Sequence, residues 1–225
     1  MGFKAVVFDL DGTLVDSSEA IAEATAMALE RLGLPKKSRG ELLGFVKLRP
    51  SDYIRVVLPR DECDNGLLRR FADEFRRAYR RVHLRLVKPV DGAMQALEAL
   101  ERMGLSIGVV TGRTLLADYA EEELKGLDLS KYIDSLTTYE VLPRARCKAD
   151  LILECLRTLG IDGKECVVVG DSPEDIQAGK GIGAITVAAL YGFHTRDELM
   201  KFKPDYIIQR ISEVVNYICA HPEEL

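Results

Sequence analysis

Short apolar runs that each end in polar residues are the clearest pattern along the chain. Such runs predict buried strands of a parallel sheet, where helices cover both faces and the apolar and polar positions do not alternate. They lie at residues 5–8, 105–110, 166–169, 184–187 and 205–208, with a strand-like piece within 133–141. Helical patterns occupy residues 93–103, 115–124, 148–159 and 212–219. This alternation predicts an α/β fold with a parallel sheet covered on both faces.

The stretch from about residue 16 to 87 has helical patterns and no apolar run typical of a buried parallel strand. Asp16, with an acid three residues later at Glu19, predicts a helix start of the capping-box kind. A stripe at spacings of four and three predicts a second long helix: Leu67, Phe71, Phe75, Tyr79 and Val82. We therefore predict a helical domain of residues 16–87, inserted into a core of residues 1–15 and 88–225.

Two carboxylates follow the first apolar run, in the segment Asp9-Leu10-Asp11-Gly12-Thr13. Alternate residues of an extended backbone point the same way, so Asp9 and Asp11 would emerge together at the end of a strand. Such a pair suits a nucleophile beside a proton donor, or a ligand set for a hard cation. Asp and Gly are also common turn residues, and a simple hairpin turn is the alternative interpretation.

Four motifs in order along the chain resemble those of the haloacid dehalogenase-like phosphohydrolases. The first is Asp9 to Thr13, the second is Thr111 after a strand, the third is Lys148 at a helix start, and the fourth is Gly170-Asp171 with Asp175. The resemblance covers essentially the whole chain and is strongest to small phosphatases of the phosphoglycolate phosphatase type. One departure is that Ala149 follows Lys148, where this branch usually has proline.

The resemblance implies a doubly wound, Rossmann-like core with an inserted helical cap, and it implies a reaction. Asp9 would attack phosphorus and form an aspartyl-phosphate, while Asp11 would act as general acid and base. Thr111 and the backbone near Gly112 would hold the phosphoryl oxygens. Lys148 would contact both the nucleophile and the phosphoryl group, whereas an exposed lysine at a helix start is the alternative.

Up to four carboxylates in one crevice would repel a phosphate ester, so a cation must be present. Mg²⁺ fits a site of carboxylates, waters and a phosphate oxygen. By the resemblance, Asp9 and Asp171 would bind it through carboxylates and Asp11 through its backbone carbonyl. Asp175 would orient Lys148 or a metal-bound water, and a first-turn helix acid favoured by the helix dipole is the equal alternative.

The substrate is expected to be a small phosphomonoester, with phosphoglycolate as a leading candidate and sugar phosphates next. Three cations could bind a second anionic group on it: Lys47, Arg49 and Arg113. Of these, Arg49 is the substrate-binding residue that we predict in the cap. His83, His194 and His221 show no ligand spacing and are interpreted as structural or exposed. A phosphomutase of the β-phosphoglucomutase type and a non-catalytic binding protein are the alternative functions.

Composition excludes other classes. The chain of 225 residues has 36 acidic and 31 basic side chains, a net charge of −5 that argues against a nucleic-acid partner. The arginine pairs within residues 69–81 are interpreted as a solvated helix face. Five cysteines without a Cys-x-x-Cys pair indicate neither disulfides nor a zinc site, and no apolar stretch predicts a signal peptide or membrane span. We expect a cytoplasmic monomer or homodimer.

Overall fold

The computed structural model of the chain describes residues 2–48, 50–59 and 64–221, apart from the side chains of Pro50 and Ser51. Its strands are β1 (Ala5–Asp9), β2 (Val15–Asp16), β3 (Lys88–Pro89), β4 (Ser106–Val110), β5 (Ser135–Thr137), β6 (Cys166–Gly170), β7 (Ile185–Ala189) and β8 (Tyr206–Ile208). Its helices are α1 (Ser18–Arg31), α2 (Arg39–Phe45), α3 (Pro50–Val57), α4 (Asn65–Leu86), α5 (Ala93–Arg102), α6 (Tyr119–Gly126), α7 (Lys148–Leu159), α8 (Pro173–Gly181), α9 (Arg196–Met200) and α10 (Ser212–Ala220).

Within the described residues, six strands form one parallel sheet in the order β5-β4-β1-β6-β7-β8. The first strand lies in the middle, and the chain builds one half of the sheet on its β4 side before it returns to build the other half on its β6 side. This is the doubly wound arrangement, and the predicted α/β class is confirmed. Ligands bind such sheets where the winding direction switches, outside the carboxyl ends of the two central strands. Here those strands are β1 and β6.

The two faces of the sheet bury separate sets of side chains. Val6 and Phe8 of β1 belong to one apolar cluster, whereas Ala5 and Val7 belong to another that includes Leu151 and other residues of α7. All five residues of β1 are buried. Strands covered on both sides have no polar face, which explains why they appear in the sequence as unbroken apolar runs.

Helices α1 to α4, which we call the cap, lie between β2 and β3. Helix α1 packs along α4, and the predicted apolar stripe of α4 is confirmed, because all five of its members are buried. The arginines of α4 were interpreted as a solvated helix face, and Arg76 departs from this interpretation. Its guanidinium donates to the carbonyl of Leu115 and pairs with Asp118, each at 2.7 Å. The cap therefore contacts the core through α4.

The start of the cap differs from the prediction. Residues Val15–Asp16 form a short antiparallel ribbon with Lys88–Pro89, and the N-cap of α1 is Ser17 rather than Asp16. The carboxylate of Asp16 accepts hydrogen bonds from the backbone N–H (2.9 Å) and hydroxyl (2.6 Å) of Ser18 instead. Two-residue strands leave no periodicity in the sequence, so this ribbon was not predictable from pattern alone.

Other predicted boundaries agree more closely. Helix α7 covers the predicted residues and ends at Gly160, whose φ of +71° gives the left-handed stop. Helix α6 begins at Tyr119, four residues later than predicted. The cysteines within the described ranges are free thiols, at positions 147, 155, 166 and 219. No helix in those ranges combines the length and apolar character needed to cross a bilayer.

Gly108 of β4 lets α7 pack closely on the sheet, and replacing it tests this contact. A Cβ at this position would lie 2.5 Å from Sγ of Cys155 and 3.2 Å from Val7. We expect Gly108→Ala to lower the free energy of unfolding by about 1–3 kcal/mol through overpacking. Gly40→Ala in α2 is the control: no atom would lie within 4 Å of its Cβ, so stability should stay level or rise by about 1 kcal/mol. Urea denaturation measures both, and equal stability of the two variants would contradict the close contact.

Candidate active site

Three buried carboxylates meet at the switch point of the sheet. Asp9 ends β1, Asp171 follows β6, and Asp175 lies in the first turn of α8. Carboxylate oxygens of all three lie within 4.8 Å of one another. The parallel pairing of β1 with β6 therefore brings together residues that are more than 160 positions apart in the chain.

Gly12 allows the chain to turn beside this group. Its φ is +80°, and a Cβ there would lie 2.5 Å from Oδ2 of Asp171. The same oxygen accepts a hydrogen bond from the backbone N–H of Phe193 at 2.6 Å. The hydroxyl of Thr13 donates to Oδ1 of Asp171 at 3.4 Å. The turn after β1 and the loop after β7 thus hold the carboxylate of Asp171 from two sides.

Lys148 is the cation nearest to the three carboxylates. As the first residue of α7, it pairs with Asp9 and with Oδ1 of Asp175, the latter at 2.5 Å. Oδ2 of Asp175 accepts hydrogen bonds from the backbone N–H (3.0 Å) and hydroxyl (2.6 Å) of Ser172. Asp175 therefore caps α8 and holds Lys148 at the same time, so the two interpretations of Asp175 are compatible. The helix starts at Lys148 even though Ala149 replaces the usual proline.

The carboxylates of this crevice outnumber the one lysine that contacts them. Burial raises the pKa of Asp171 to about 7, with Asp175 adding to the effect. Burial also raises the pKa of Asp9 well above its usual range, although Lys148 acts in the opposite direction. Both shifts mean that a second carboxylate charge is poorly stabilised here. The donors are all oxygens, which fits a hard divalent cation such as Mg²⁺.

Asp11 lies in a different environment, against Arg113. Its Oδ2 accepts a hydrogen bond from Nε of Arg113 at 2.7 Å and its Oδ1 accepts one from Nη2 at 2.6 Å, while the hydroxyl of Ser17 also donates to Oδ1. Burial alone would raise the pKa of Asp11, but the guanidinium and these hydrogen bonds hold it below its usual range. Asp11 is therefore ionised in this arrangement.

The other side of Arg113 contacts a buried glutamate. Nη1 of Arg113 donates to Oε2 of Glu123 at 2.7 Å. Oε1 of Glu123 accepts a hydrogen bond from the hydroxyl of Tyr79 at 2.8 Å and lies 3.2 Å from Nδ1 of His83. Tyr79 and His83 belong to α4 of the cap, and Glu123 belongs to α6 of the core. We call these four residues together with Asp11 the Arg113 network.

A cavity of about 610 Å³ opens above the carboxylates. Its floor includes Asp9, Thr111, Gly112, Lys148 and Asp171, and the cap supplies its opposite wall. Thr111 is buried directly after β4, and its hydroxyl accepts a hydrogen bond from the backbone N–H of Arg113 at 3.2 Å. The predicted catalytic residues and Gly112 thus share one cavity.

Comparison with known sequences identifies the family. The sequence profile of the family described as haloacid dehalogenase-like hydrolase matches residues 6–189, which is most of the chain. The chain belongs to the haloacid dehalogenase-like hydrolases. The match includes all four motifs that carry the resemblance, from Asp9 to Asp175.

Curated relatives are similar over nearly the full length of the chain. It is similar to a phosphoglycolate phosphatase of Aquifex aeolicus (28% identity, covering 97% of this chain and 98% of the relative). It is also similar to the pyrophosphatase PpaX of Bacillus velezensis (26% identity, 94% of each chain). The crystal structure of a predicted phosphoglycolate phosphatase from Haemophilus somnus 129pt superposes with a TM-score of 0.85, at 22% identity and covering 96% of this chain and 97% of that one. At that identity, the superposition shows the fold alone.

The cations of this haloacid dehalogenase-like protein that we expected to bind a second anionic group are placed differently from that expectation. Arg113, predicted to be available for a second anion of the substrate, pairs with Asp11 and Glu123 instead. Lys47 pairs with Glu198 at 2.9 Å. Arg49, our predicted substrate-binding residue, lies outside the described residues. The sequence gives no signal for the pairs Arg113–Asp11 and Lys47–Glu198, because their partners are 102 and 151 positions apart. Glu123 follows Arg113 by only ten residues, and the orientation of α6 brings the two together.

The histidines divide into two groups. His83 is buried in the Arg113 network, as a structural residue should be. His194 lines the cavity, where the sequence had indicated no special place. Its Nδ1 is buried and has no hydrogen-bond partner among the described residues, and burial lowers its pKa, so the ring is neutral at pH 7. The one sequence signal for the cavity position of His194 is that it follows β7, in the loop that contacts Asp171.

The Arg113 network predicts a large effect on stability for one glutamate of α6. Glu123→Gln removes a fully buried charge and leaves the guanidinium of Arg113 undercompensated, so we expect a loss of about 3–5 kcal/mol in the free energy of unfolding. Glu121→Gln is the matched control two residues away: its exposed pair with Lys125 should contribute less than about 0.5 kcal/mol. Denaturant unfolding compares the two. Similar losses for both variants would show that the network adds no special stability.

Proposed function

We propose that this protein is a Mg²⁺-dependent phosphatase that hydrolyses phosphomonoesters through an aspartyl-phosphate on Asp9. The observation that carries the proposal is the position of Lys148, which pairs with Asp9 and Asp175 at the floor of the cavity. A lysine placed between a nucleophile and a positioning carboxylate can also hold a phosphoryl oxygen that approaches Asp9. The names of the relatives, a phosphoglycolate phosphatase and a pyrophosphatase, support phosphoryl chemistry.

The reaction has two steps. A carboxylate oxygen of Asp9 attacks phosphorus, the bond from phosphorus to the ester oxygen breaks, and Asp11 gives a proton to the departing alcohol. Water then attacks the phosphorus of the aspartyl-phosphate, Asp11 accepts a proton from this water, and Asp9 is released with inorganic phosphate. Asp11 is ionised beside Arg113, so the second step can start from the arrangement described. The first step requires Asp11 to take up a proton as substrate binds.

The residues at the carboxyl ends of β1 and β6 would hold the metal ion. We assign the carboxylates of Asp9 and Asp171 and the backbone carbonyl of Asp11 to it. When bound, Mg²⁺ supplies positive charge that offsets repulsion between these carboxylates and the phosphate. Thr111 and Gly112 are assigned to the phosphoryl oxygens, because both lie at the end of β4 beside Asp9 in the cavity.

The cap determines which alcohols reach this site in our proposal. We place its boundaries at residues 16 and 87, close to the ribbon of β2 and β3. Closure of the cap would exclude water from the phosphoryl group. The unpaired thiols support a reducing compartment such as the cytoplasm. A monomer or a homodimer is compatible with this function, since one chain carries every residue assigned to it.

Replacing the nucleophile tests the reaction. Asp9→Asn removes the attacking carboxylate but keeps its shape, so phosphate release from a panel of phosphomonoesters should fall by about 10³-fold or more. Asp197→Asn, at an exposed position of α9, is the control and should leave the rate unchanged. Release that persists in Asp9→Asn would remove this residue from the nucleophilic role. Transfer of phosphate to a second hydroxyl of a sugar, without release, would indicate a mutase instead.

Removal of a proposed ligand tests the metal. We expect EDTA to abolish phosphate release and added Mg²⁺ to restore it. In Asp171→Asn, the Mg²⁺ concentration needed for half-maximal activity should rise about tenfold or more, because one charged oxygen ligand is lost. Asp197→Asn again serves as the control. An unchanged Mg²⁺ titration in Asp171→Asn would contradict its assignment.

A further inference from the structure

We infer that the alcohol released by this phosphatase is uncharged and apolar, of the branched-alkyl or benzyl kind. This inference rests on the proposed function and narrows it, since the relatives' names point to substrates that carry a second anionic group. Three features of the cavity support it: the chemistry of the cap wall, the pairing of the cations, and the volume.

Apart from Lys47 and Tyr53, the described cap residues that line the cavity are apolar. Every cap helix, or the turn that directly follows it, contributes to this wall, whose principal members are Ile21, Val46, Leu48, Ile54, Phe71 and Phe75. The rings of Phe71 and Phe75 are stacked, with centroids 6.0 Å apart. We call these six residues the apolar wall. Phe71 and Phe75 are already buried, whereas the other four members are half-buried, and a leaving group that contacts those four removes apolar surface from water.

The hydroxyl of Tyr53, which precedes the wall residue Ile54, is already bonded within the cap. The hydroxyl of Tyr53 shares a hydrogen bond of 2.6 Å with the hydroxyl of Thr25, and both side chains are buried. Tyr53 therefore offers the cavity mainly its ring. A hydroxyl-rich sugar facing this side would lose hydrogen bonds to water and gain few from the wall.

The cations that line the described cavity are paired with carboxylates of the protein. Lys148 contacts Asp9 and Asp175, and Arg113 contacts Asp11 and Glu123.

Lys47, the third cation, pairs with Glu198, and that glutamate is itself held in place as the capping residue of α9. The backbone N–H of Thr195 and Lys47 together lower the pKa of Glu198 to about 2. A carboxylate on the leaving group would have to share a cation with a carboxylate of the protein that already holds it. The repulsion between the two carboxylates would then weaken the pairing.

The volume exceeds what a two-carbon acid needs. About 610 Å³ is within the range of about 300–1,000 Å³ typical of sites for drug-sized ligands. Phosphoglycolate would occupy the floor near Asp9 and leave the apolar wall in contact with water. A branched or aromatic alcohol reaches both surfaces.

Two esters of similar size, one with an uncharged and one with a charged leaving group, separate the effect of charge from that of size. Isobutyl phosphate matches phosphoglycolate except that two methyl groups replace the two carboxylate oxygens. We expect kcat/KM with Mg²⁺ to be about tenfold or more higher for isobutyl phosphate, because each buried methyl group contributes about fourfold. Benzyl phosphate, which extends further along the wall, should be better still. Equal or faster turnover of phosphoglycolate or pyrophosphate would overturn the inference and leave the proposed phosphatase function standing.

A matched pair of cap variants tests the wall itself. Leu48 lines the cavity, whereas Leu43 in α2 is similarly half-buried but does not line it. Leu48→Asn should reduce the ratio of kcat/KM for isobutyl phosphate to that for phosphoglycolate by about fivefold or more, and Ile54→Asn should act in the same direction. Leu43→Asn should leave the ratio unchanged. An equal change in Leu48→Asn and Leu43→Asn would contradict a contact between the wall and the leaving group.

Binding of unreactive analogues keeps this inference separate from the reaction. In 3-methylbutylphosphonate and 3-phosphonopropionate a methylene replaces the ester oxygen of isobutyl phosphate and of phosphoglycolate. Calorimetry with Mg²⁺ should show about tenfold or tighter binding of the methylbutyl compound. If no ester is hydrolysed above the Asp9→Asn blank, the proposed function fails, and the ratio of phosphonate affinities still decides the inference. Equal binding, or no binding of the methylbutyl compound, would overturn it.

Discussion

The buried ion group of Lys148 with Asp9 and Asp175 is the interaction on which the site depends. The doubly wound sheet brings carboxylates from β1, from the turn after β6 and from α8 to one place, and like charges at such distances repel each other strongly in a buried setting. Lys148 offsets part of this repulsion and stays protonated, because the two carboxylates outweigh the effect of burial and raise its pKa. The start of α7 positions Lys148 and the capping box of α8 positions Asp175, while the turn at Gly12 lies against the neighbouring Asp171. The remaining excess of negative charge is what makes the crevice receptive to a divalent cation.

The Arg113 network connects this site to the cap by a second route. One guanidinium spans the carboxylates of Asp11 and Glu123, and its carbon lies 5.9 Å from the centre of the Tyr79 ring on α4. Ser17, at the first turn of the cap, also donates to Asp11. The side chain assigned to proton transfer is thus bonded to residues on both sides of the boundary between cap and core. Any displacement of the cap changes the hydrogen bonds of Asp11 directly.

Much of this architecture was predictable because the strongest sequence signals come from local constraints. Buried strands need continuous apolar runs, helix stops need residues such as Gly160, and the capping box of α8 needs Ser172 with an acid three residues later. The resemblance to a known family then placed Asp9, Asp171 and Lys148 together. The pairing of Arg113 with Asp11 and the cavity position of His194 were not predictable, since they arise from packing between elements that lie far apart in the chain. A sequence shows that an arginine is present, but only the fold shows which carboxylates neutralise it.

The ribbon of β2 and β3 also affects how the chain can fold. Ala5 of β1 pairs with Ser106 of β4, so the pairing of these two strands must close a loop that contains the entire cap. Closing long loops is entropically costly and makes folding slow when contacts are remote in sequence. Because Val15 pairs with Pro89 and Asp16 with Lys88, formation of this ribbon brings the two ends of the cap together. In the folded chain this ribbon closes off the cap, so that the connection from β1 to β4 around it consists of short segments.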